Sequence, residues 1–294
     1  VIWVHDYQLM LLPELIRTHH PHVKIGFFLH IPFPSYEIFR LLIWKSDILK
    51  GLLGSDLIGF HTYDYVRHFL SSVRRTLNIT QSFYKLSYNN RYVKVDAFPM
   101  GIDYDFFHHH PIKAEPKEKQ MKILLSVDRL DYTKGIIERL HAYQTFLEKY
   151  PKYHKKVKLH LIVAPSRAKL EAYDVLHKQI ENLVSQINGI YGSFEWMPIW
   201  YLYQSFSQEE LIKYYKTSDI LLVTPLRDGM NLVAKEYIAS RNDHQGMLII
   251  SETAGAASEL SEAIIINPND QDQIALGIKQ ALEMSKEERK NRNL

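Results

Sequence analysis

The chain has no cysteine in its 294 residues, which excludes a disulfide scaffold and says little else about compartment. It lacks any run near the roughly 18 apolar residues that cross a bilayer, and no charged-then-apolar leader stands at its start, so no membrane partner is expected. Charge of one sign is not in excess either. The 36 Lys plus Arg set against 33 Asp plus Glu leave a formal net charge of +3, too small to argue for a nucleic-acid partner. Internal repeats are missing, and the only charge-rich tail is Lys286 to Arg292. Histidines are plentiful but carry no metal-ligand spacing. His108, His109 and His110 are consecutive and run into Pro111, so neither a helix nor a strand turns all of them to one point; His19, His20 and His22 flank Pro21 in a similar linker. Neither group has the two-histidine spacing with a carboxylate that catalytic zinc uses.

What is present is ample apolar material, 46% of the residues, in a length that suits two domains of roughly 100 to 200 residues each. Strand-like and helix-like patterns alternate. Runs at Val23 to Leu29, Asp56 to Phe60, Gln81 to Ser87 and Tyr92 to Ala97 read as strands, and helices are predicted through Tyr36 to Leu53 and Tyr63 to Leu77, the latter with Val66, Phe69, Leu70, Val73 and Leu77 on one face. Val1 to Val4 already reads as a strand inside a domain, which predicts a fragment whose first domain is incomplete. A charged stretch with two prolines and no apolar period then divides residues 1–112 from residues 121–294, with 113–120 as linker. Beyond it come strand Lys122 to Val127, helix Gly135 to Tyr150, strand Val157 to Ala164, a long helix Ala168 to Ile187 and strand Pro198 to Tyr203. Ser207 and Glu210 then form a capping-box signature, followed by strands Asp219 to Val223, Met247 to Ser251 and Ala263 to Ile266 and helix Gln271 to Met284. Such alternation signals βαβ units, an α/β fold with parallel sheets.

Two loops in the second half have the make-up of a phosphate site. In Ser126-Val127-Asp128-Arg129-Leu130-Asp131-Tyr132-Thr133-Lys134-Gly135, Arg129 and Lys134 fall where a buried strand gives way to a helix with apolar positions Ile136, Leu140, Tyr143 and Leu147. Open α/β sheets bind ligands at the carboxyl ends of strands, where the next helix adds the positive end of its dipole. The alternative is two solvated cations on a surface loop. Asp219 to Val223 repeats the arrangement, ending in Thr224-Pro225-Leu226-Arg227-Asp228-Gly229-Met230-Asn231-Leu232. There Gly229 lets a backbone approach a ligand closely, and the amides of Met230, Asn231 and Leu232 point out of a helix start. Glu236 follows Asp228 by about two turns. Taken singly, Asp228 reads as a helix N-cap and Glu236 as a solvated helix residue.

These segments, with Trp3-Val4-His5-Asp6-Tyr7-Gln8-Leu9, Phe27-Phe28-Leu29-His30-Ile31-Pro32-Phe33-Pro34, Asp56-Leu57-Ile58-Gly59-Phe60-His61-Thr62 and Phe98-Pro99-Met100-Gly101-Ile102-Asp103, occur in one order along nearly the whole chain. In that set the sequence resembles the trehalose-6-phosphate synthases, retaining glycosyltransferases whose two Rossmann-like domains face a cleft in the GT-B manner. The resemblance implies transfer of glucose from UDP-glucose to glucose 6-phosphate, small-molecule substrates in a cytoplasmic enzyme that forms homo-oligomers or carries a fused phosphatase domain in some relatives. It also implies roles. Arg129 and Lys134 match the pair that grips the donor diphosphate, and Glu236 the carboxylate that accepts from the ribose hydroxyls. Asp228, with the amides of Gly229, Met230, Asn231 and Leu232, matches the contacts to the transferred glucose, while Ser205 and Phe206 fall where backbone meets the uracil. Asp6 and His30 match residues at the reacting sugars, Asp6 on the acceptor side, and Arg167 a ligand of the acceptor phosphate. Without Leu29 and Ile31-Pro32-Phe33-Pro34 around it, His30 reads as a core histidine after a hydrophobic strand.

The chemistry agrees with these assignments. A retaining transfer breaks the bond from anomeric carbon to phosphate early, so stabilising the departing diphosphate is the main task, and fixed cations do this with no metal cofactor. Transferases that rely on a metal usually hold it with an Asp-x-Asp pair. Asp103-Tyr104-Asp105 has that form but no flanking cluster of hard oxygen ligands, and is expected to be a turn and short helix start. Two other readings keep the fold: a transferase using UDP- or ADP-glucose with another phosphorylated acceptor, and a non-catalytic sugar-phosphate-binding regulator. Degenerate homologues lose charged donor-site residues, whereas Arg129, Lys134, Asp228 and Glu236 are all present.

Overall fold

The structure, a computed structural model, describes residues 1–113, 121–166 and 171–293. The chain divides into two compact units, Val1–Met100 and Gly101–Leu294. In the first, strands β1 (Ile2–His5), β2 (Ile25–Phe28), β3 (Leu57–Phe60), β4 (Gln81–Ser82), β5 (Lys85–Tyr88) and β6 (Arg91–Ala97) form one sheet ordered β1-β2-β3-β6-β5-β4. Its β1, β2, β3 and β6 run parallel, and β5 and β4 close one edge antiparallel. Helices α1 (Leu12–His19), α2 (Tyr36–Phe39), α3 (Lys45–Leu53) and α4 (Tyr63–Leu77) connect them. α4 occupies the span its apolar period predicts: Val66, Phe69, Leu70 and Val73 are buried, and the Thr62 side chain caps it by accepting from the Tyr65 amide. Phe33, Phe39, Phe60 and Phe69 interlock beneath these helices, partly edge to face.

The helices expected over Tyr36 to Leu53 form as α2 and α3, separated by residues 40–44. One local expectation differs. The strand expected over Gln81 to Ser87 is instead a tight hairpin between β4 and β5, turning through Phe83 and Tyr84 at φ 47° and 59°. Bulky residues seldom adopt that left-handed region, so no glycine or asparagine marks the turn.

The second unit holds α5 (Tyr104–His108), β7 (Lys122–Arg129), α6 (Ile136–Lys149), β8 (Val157–Ala164), α7 (Glu171–Tyr191) and β9 (Ile199–Leu202). It continues through α8 (Gln208–Thr217), β10 (Ile220–Val223), α9 (Leu232–Ser240), β11 (Met247–Ser251), β12 (Ile264–Ile266), α10 (Gln271–Glu283) and α11 (Lys286–Arg292). Its strands form one fully parallel sheet ordered β12-β11-β10-β7-β8-β9. Strands buried on both faces need continuous apolar runs, which Leu124, Leu125, Leu221, Leu222, Ile249 and Ile250 supply at 0% exposure. The capping box at Ser207 and Glu210 is formed as its sequence predicts.

The boundary between units lies earlier than expected. Phe107 of α5 is 2% exposed in the core shared with Ala234 and Tyr237, Asn242 Nδ2 donates to His108 O at 2.7 Å, and Lys216 Nζ donates to His110 O at 2.7 Å. Residues 101–112 therefore belong with the second unit and not the first. Most of the expected linker, residues 114–120, lies outside the described residues. Asp103 is a helix cap, its Oδ1 accepting from the Phe106 amide at 3.1 Å, with Asp105 in the first turn of α5.

Candidate active site

Chain order in the second sheet runs outward from β7 to β8 and β9, then returns to β7's other side as β10. The loops leaving β7 and β10 therefore diverge at a topological switch point, where doubly wound sheets open a crevice for ligands. They are the two loops whose sequences carry the phosphate signature. The loops are laced together: the amide of Leu226 donates to Thr133 O at 2.8 Å. Gly135 makes this approach possible, with φ 62° and a position where a Cβ would stand 2.3 Å from Thr224 O.

Lys134 and Asp228, 94 residues apart, meet here with Nζ to Oδ2 at 2.6 Å. Their side chains are 14% and 15% exposed, so the pair is largely buried yet reaches solvent. Asn231 also donates to Asp228 Oδ2, at 3.0 Å, while its own Oδ1 accepts from the Ala234 amide. Asn231, not Asp228, is thus the N-cap of α9, and it holds φ 76° and ψ 91°, a strained backbone for a residue with a side chain. The helix begins at Leu232, so the amides of Leu232 and Val233 have no intrahelical acceptor and add the positive dipole end. Gly229 and Met230 are buried beneath, anchored where the Ala256 amide donates to Met230 O at 2.7 Å and the Gly255 amide to Asp228 O at 3.2 Å.

Glu236 stands about one turn into α9 and accepts from Tyr215 Oη at 2.9 Å. Burial pushes its carboxyl above the ordinary value, with the tyrosine hydrogen bond pulling the other way. Arg129 is the last residue of β7 and exposed, and no salt bridge among the described residues engages it. Ser205 and Phe206 lie in the loop after β9, Phe206 packed edge-on against Tyr214 at 5.3 Å.

Sequence reasoning missed Arg139. It is fully buried on α6 and donates to Asp128 Oδ2 at 2.6 Å, to Thr224 Oγ1 at 2.8 Å, to Lys134 O at 2.9 Å and to Ser126 Oγ. The signal was available. Arg139 falls on the same helical face as Ile136, Leu140 and Tyr143, where a lone cation needs a buried partner.

In the first unit, β1, β2 and β3 bring His5, Asp6, His30 and His61 to their carboxyl ends. Asp6 Oδ1 accepts from the His30 amide at 3.3 Å, and His5 Nδ1 lies 3.0 Å from His30 Nε2. Burial lowers the His30 pKa, Asp6 opposing and His5 assisting, so its ring is neutral near pH 7. The ring stacks on His5 and tilts against Phe28 and His61, and it is half-buried just past the end of β2. Asp6 is held at φ 71°, so strained backbone marks this cluster as it marks Asn231. His5 and His61 were not singled out from sequence. Arg167 lies outside the described residues. Among the described residues, no group of three or more His, Cys, Asp or Glu is placed to hold a metal ion, and no helix is long and apolar enough to cross a membrane.

The sequence matches glycosyltransferase family 20 over residues 1–294. The chain belongs to this family. Among its relatives, the UDP-forming alpha,alpha-trehalose-phosphate synthase of Pichia angusta is 47% identical, covering 99% of this chain and 64% of the yeast protein. The bifunctional trehalose-6-phosphate synthase/phosphatase of Thermoproteus tenax is 44% identical over 98% of this chain and 41% of its own length. A family structure from E. coli bound with UDP-2-fluoro glucose matches with TM-score 0.94 at 39% identity, over 99% of this chain and 67% of that one. The UDP-forming synthase of Burkholderia xenovorans in complex with glucose-6-phosphate matches with TM-score 0.93 at 34% identity, over 100% and 67%. The chain thus spans less than two thirds of the length of the Pichia relative.

Proposed function

We propose that the whole protein transfers glucose from UDP-glucose to glucose 6-phosphate with retention, giving trehalose 6-phosphate and UDP. The observation that carries this reading is the meeting of Lys134, Asp228 and the amino end of α9 at the switch point of a family 20 sheet. Lys134 and Arg129 would receive the charge that grows on the departing diphosphate, and preorganised cations of this kind need no reorganisation as the bond breaks. Asp228 and the amides from Gly229 to Leu232 would hold the transferred glucose, Glu236 the ribose hydroxyls, and Ser205 and Phe206 the uracil. Asp6, His30 and Arg167 would serve the acceptor side. His30, uncharged near pH 7, can accept or donate a hydrogen bond to a sugar hydroxyl without adding a cation beside the forming oxocarbenium.

No metal cofactor enters this scheme, because the cations supply the leaving-group stabilisation that a divalent ion supplies elsewhere. The glucose-6-phosphate complex of the Burkholderia relative and the UDP-2-fluoro glucose complex of the E. coli relative support both substrates by similarity. The cytoplasm is the proposed compartment, since both substrates are multiply charged and do not cross a bilayer unaided. A coupled assay for UDP release from UDP-glucose, run with glucose 6-phosphate and a panel of other phosphorylated acceptors, tests the proposal. Release that depends on glucose 6-phosphate and survives EDTA is expected. Loss to EDTA with rescue by magnesium would overturn the metal-free scheme, and preference for another acceptor would overturn the product assignment.

A further inference from the structure

We propose that Arg139 is the positioning residue of the diphosphate clamp: it locks the loop after β7 to the loop after β10, and so presents Lys134 to the phosphates with a second, buried positive charge behind it. The inference rests on the donor-site reading above and goes beyond it, because Arg139 has no exposure and acts only through the residues it holds.

Its fork spans both loops. Nη1 is bound to Ser126 Oγ and Asp128 Oδ2 on β7, Nη2 donates to Lys134 O, and Nε donates to Thr224 Oγ1 just past the end of β10. The planar guanidinium fixes all of these at once, which a lysine ammonium cannot. The Lys134 carbonyl it holds belongs to the residue whose Nζ reaches Asp228 at 2.6 Å, so the same side chain governs where that ammonium stands. Immediately beside it Gly135 and Thr224 approach so closely that a Cβ at Gly135 would stand 2.3 Å from Thr224 O.

The charge count points the same way. Asp128 offsets Arg139 and Asp228 offsets Lys134, and Arg129 adds a cation that no salt bridge among the described residues engages. A diphosphate arriving at Lys134 meets the Arg139–Asp128 ion pair through a dry interior, where charges are screened little, so removing either member of the pair changes the potential at the phosphates. A residue that merely braced the fold would be satisfied by shape; this one is wired to the backbone of the ligand-binding lysine.

The test is calorimetric titration of the 294-residue chain and its variants with UDP and, separately, uridine. Arg139→Lys keeps a cation but not the fork, and Thr224→Val removes the acceptor of Nε at nearly constant volume. Both are expected to weaken UDP by tenfold or more for Arg139→Lys and about threefold for Thr224→Val, while uridine affinity stays within twofold. Asp128→Asn, nearly isosteric, removes the offsetting anion and is expected to tighten UDP. Equal losses for UDP and uridine, or UDP affinity unchanged in Thr224→Val, would overturn the proposal. Should Arg139→Lys fail to fold, Thr224→Val and Asp128→Asn decide it by their opposite signs. Failure of wild type to bind UDP would instead count against the donor-site reading itself.

Discussion

At the scale of single residues, the proposed roles give Lys134 the grip on phosphate and Asp228 the grip on sugar, and single substitutions separate the two. Lys134→Ala removes a charge contact that strengthens as the diphosphate departs, so kcat should fall by about two to three orders of magnitude. Turnover within threefold of wild type would assign leaving-group stabilisation elsewhere, Arg129 first. Asp228→Ala should weaken the glucose-dependent part of donor binding and leave UDP binding largely unchanged, whereas Glu236→Ala should weaken UDP and UDP-glucose together. Calorimetry that finds both variants losing UDP affinity equally would refute that division. Glu236 also carries a stability signature. Burial raises its pKa in the folded state above the unfolded value, so folding favours the protonated form, and that contribution is lost as pH rises through the folded pKa. Glu236→Gln keeps an acceptor for Tyr215 Oη and removes the ionisation penalty. Its melting temperature should therefore exceed wild type at pH 7, with the gain vanishing below the ordinary glutamate range, while UDP binding weakens. An equal melting temperature at pH 7 would mean the site solvates Glu236 well enough to ionise it freely.

At the scale of elements, the site is a pair of strand ends held at one distance by a glycine. Gly135→Ala would place a Cβ against Thr224 O in a backbone region that side chains rarely adopt, so it should destabilise by about 1–3 kcal/mol and weaken UDP as Lys134 moves. A urea midpoint unchanged from wild type would show that the two loops give way easily. Much of this was legible beforehand. A strand end followed by cations and a glycine is what drew out Arg129, Lys134 and Asp228 as candidates, and the fold brings Lys134 and Asp228 together. The run of apolar residues through β7, β8, β10 and β11 fixed those strands, because burial on both faces leaves no other pattern. What resisted reading is what long-range contact decides. The hairpin at Phe83 and Tyr84 uses residues that disfavour its dihedrals. Asn231 displaced Asp228 as cap because the aspartate is held by Lys134, a contact 94 residues away that no local pattern encodes. His5 joined His30 for the same reason, through sheet register: Phe28 pairs with His5 across β1 and β2.

At the scale of the whole molecule, every residue assigned to the donor lies in the second unit. Arg129, Lys134, Arg139, Asp228 and Glu236 all come from the sheet and helices between residues 101 and 294, and both hydrophobic cores there are built from that stretch alone. The first unit presents a different surface. Trp3, Gly26, Phe28, Phe98 and Met100 line an apolar cavity of about 570 Å³ on its sheet, with Trp3 68% exposed, which disfavours its isolated solubility. A piece comprising residues 101–294 should consequently fold cooperatively and bind UDP within about threefold of the 294-residue chain, since no donor contact is lost. Where it is cut matters. Starting at residue 121 removes Phe107 from the core against Tyr237 and Ala234 and strips Lys216 and Asn242 of carbonyl partners at residues 108, 110 and 112. Loss of one buried phenylalanine costs about 3–5 kcal/mol in a core of this kind, so the shorter piece should melt well below the longer one although both contain the entire sheet. Circular dichroism melts of the two pieces, paired with UDP titration, measure this directly. Equal melting temperatures would mean that α5 rests on the unit without supporting it. A tenfold loss of UDP affinity in the longer piece would mean that the first unit, through residues such as Asp6 or His30, already contributes before any acceptor is bound.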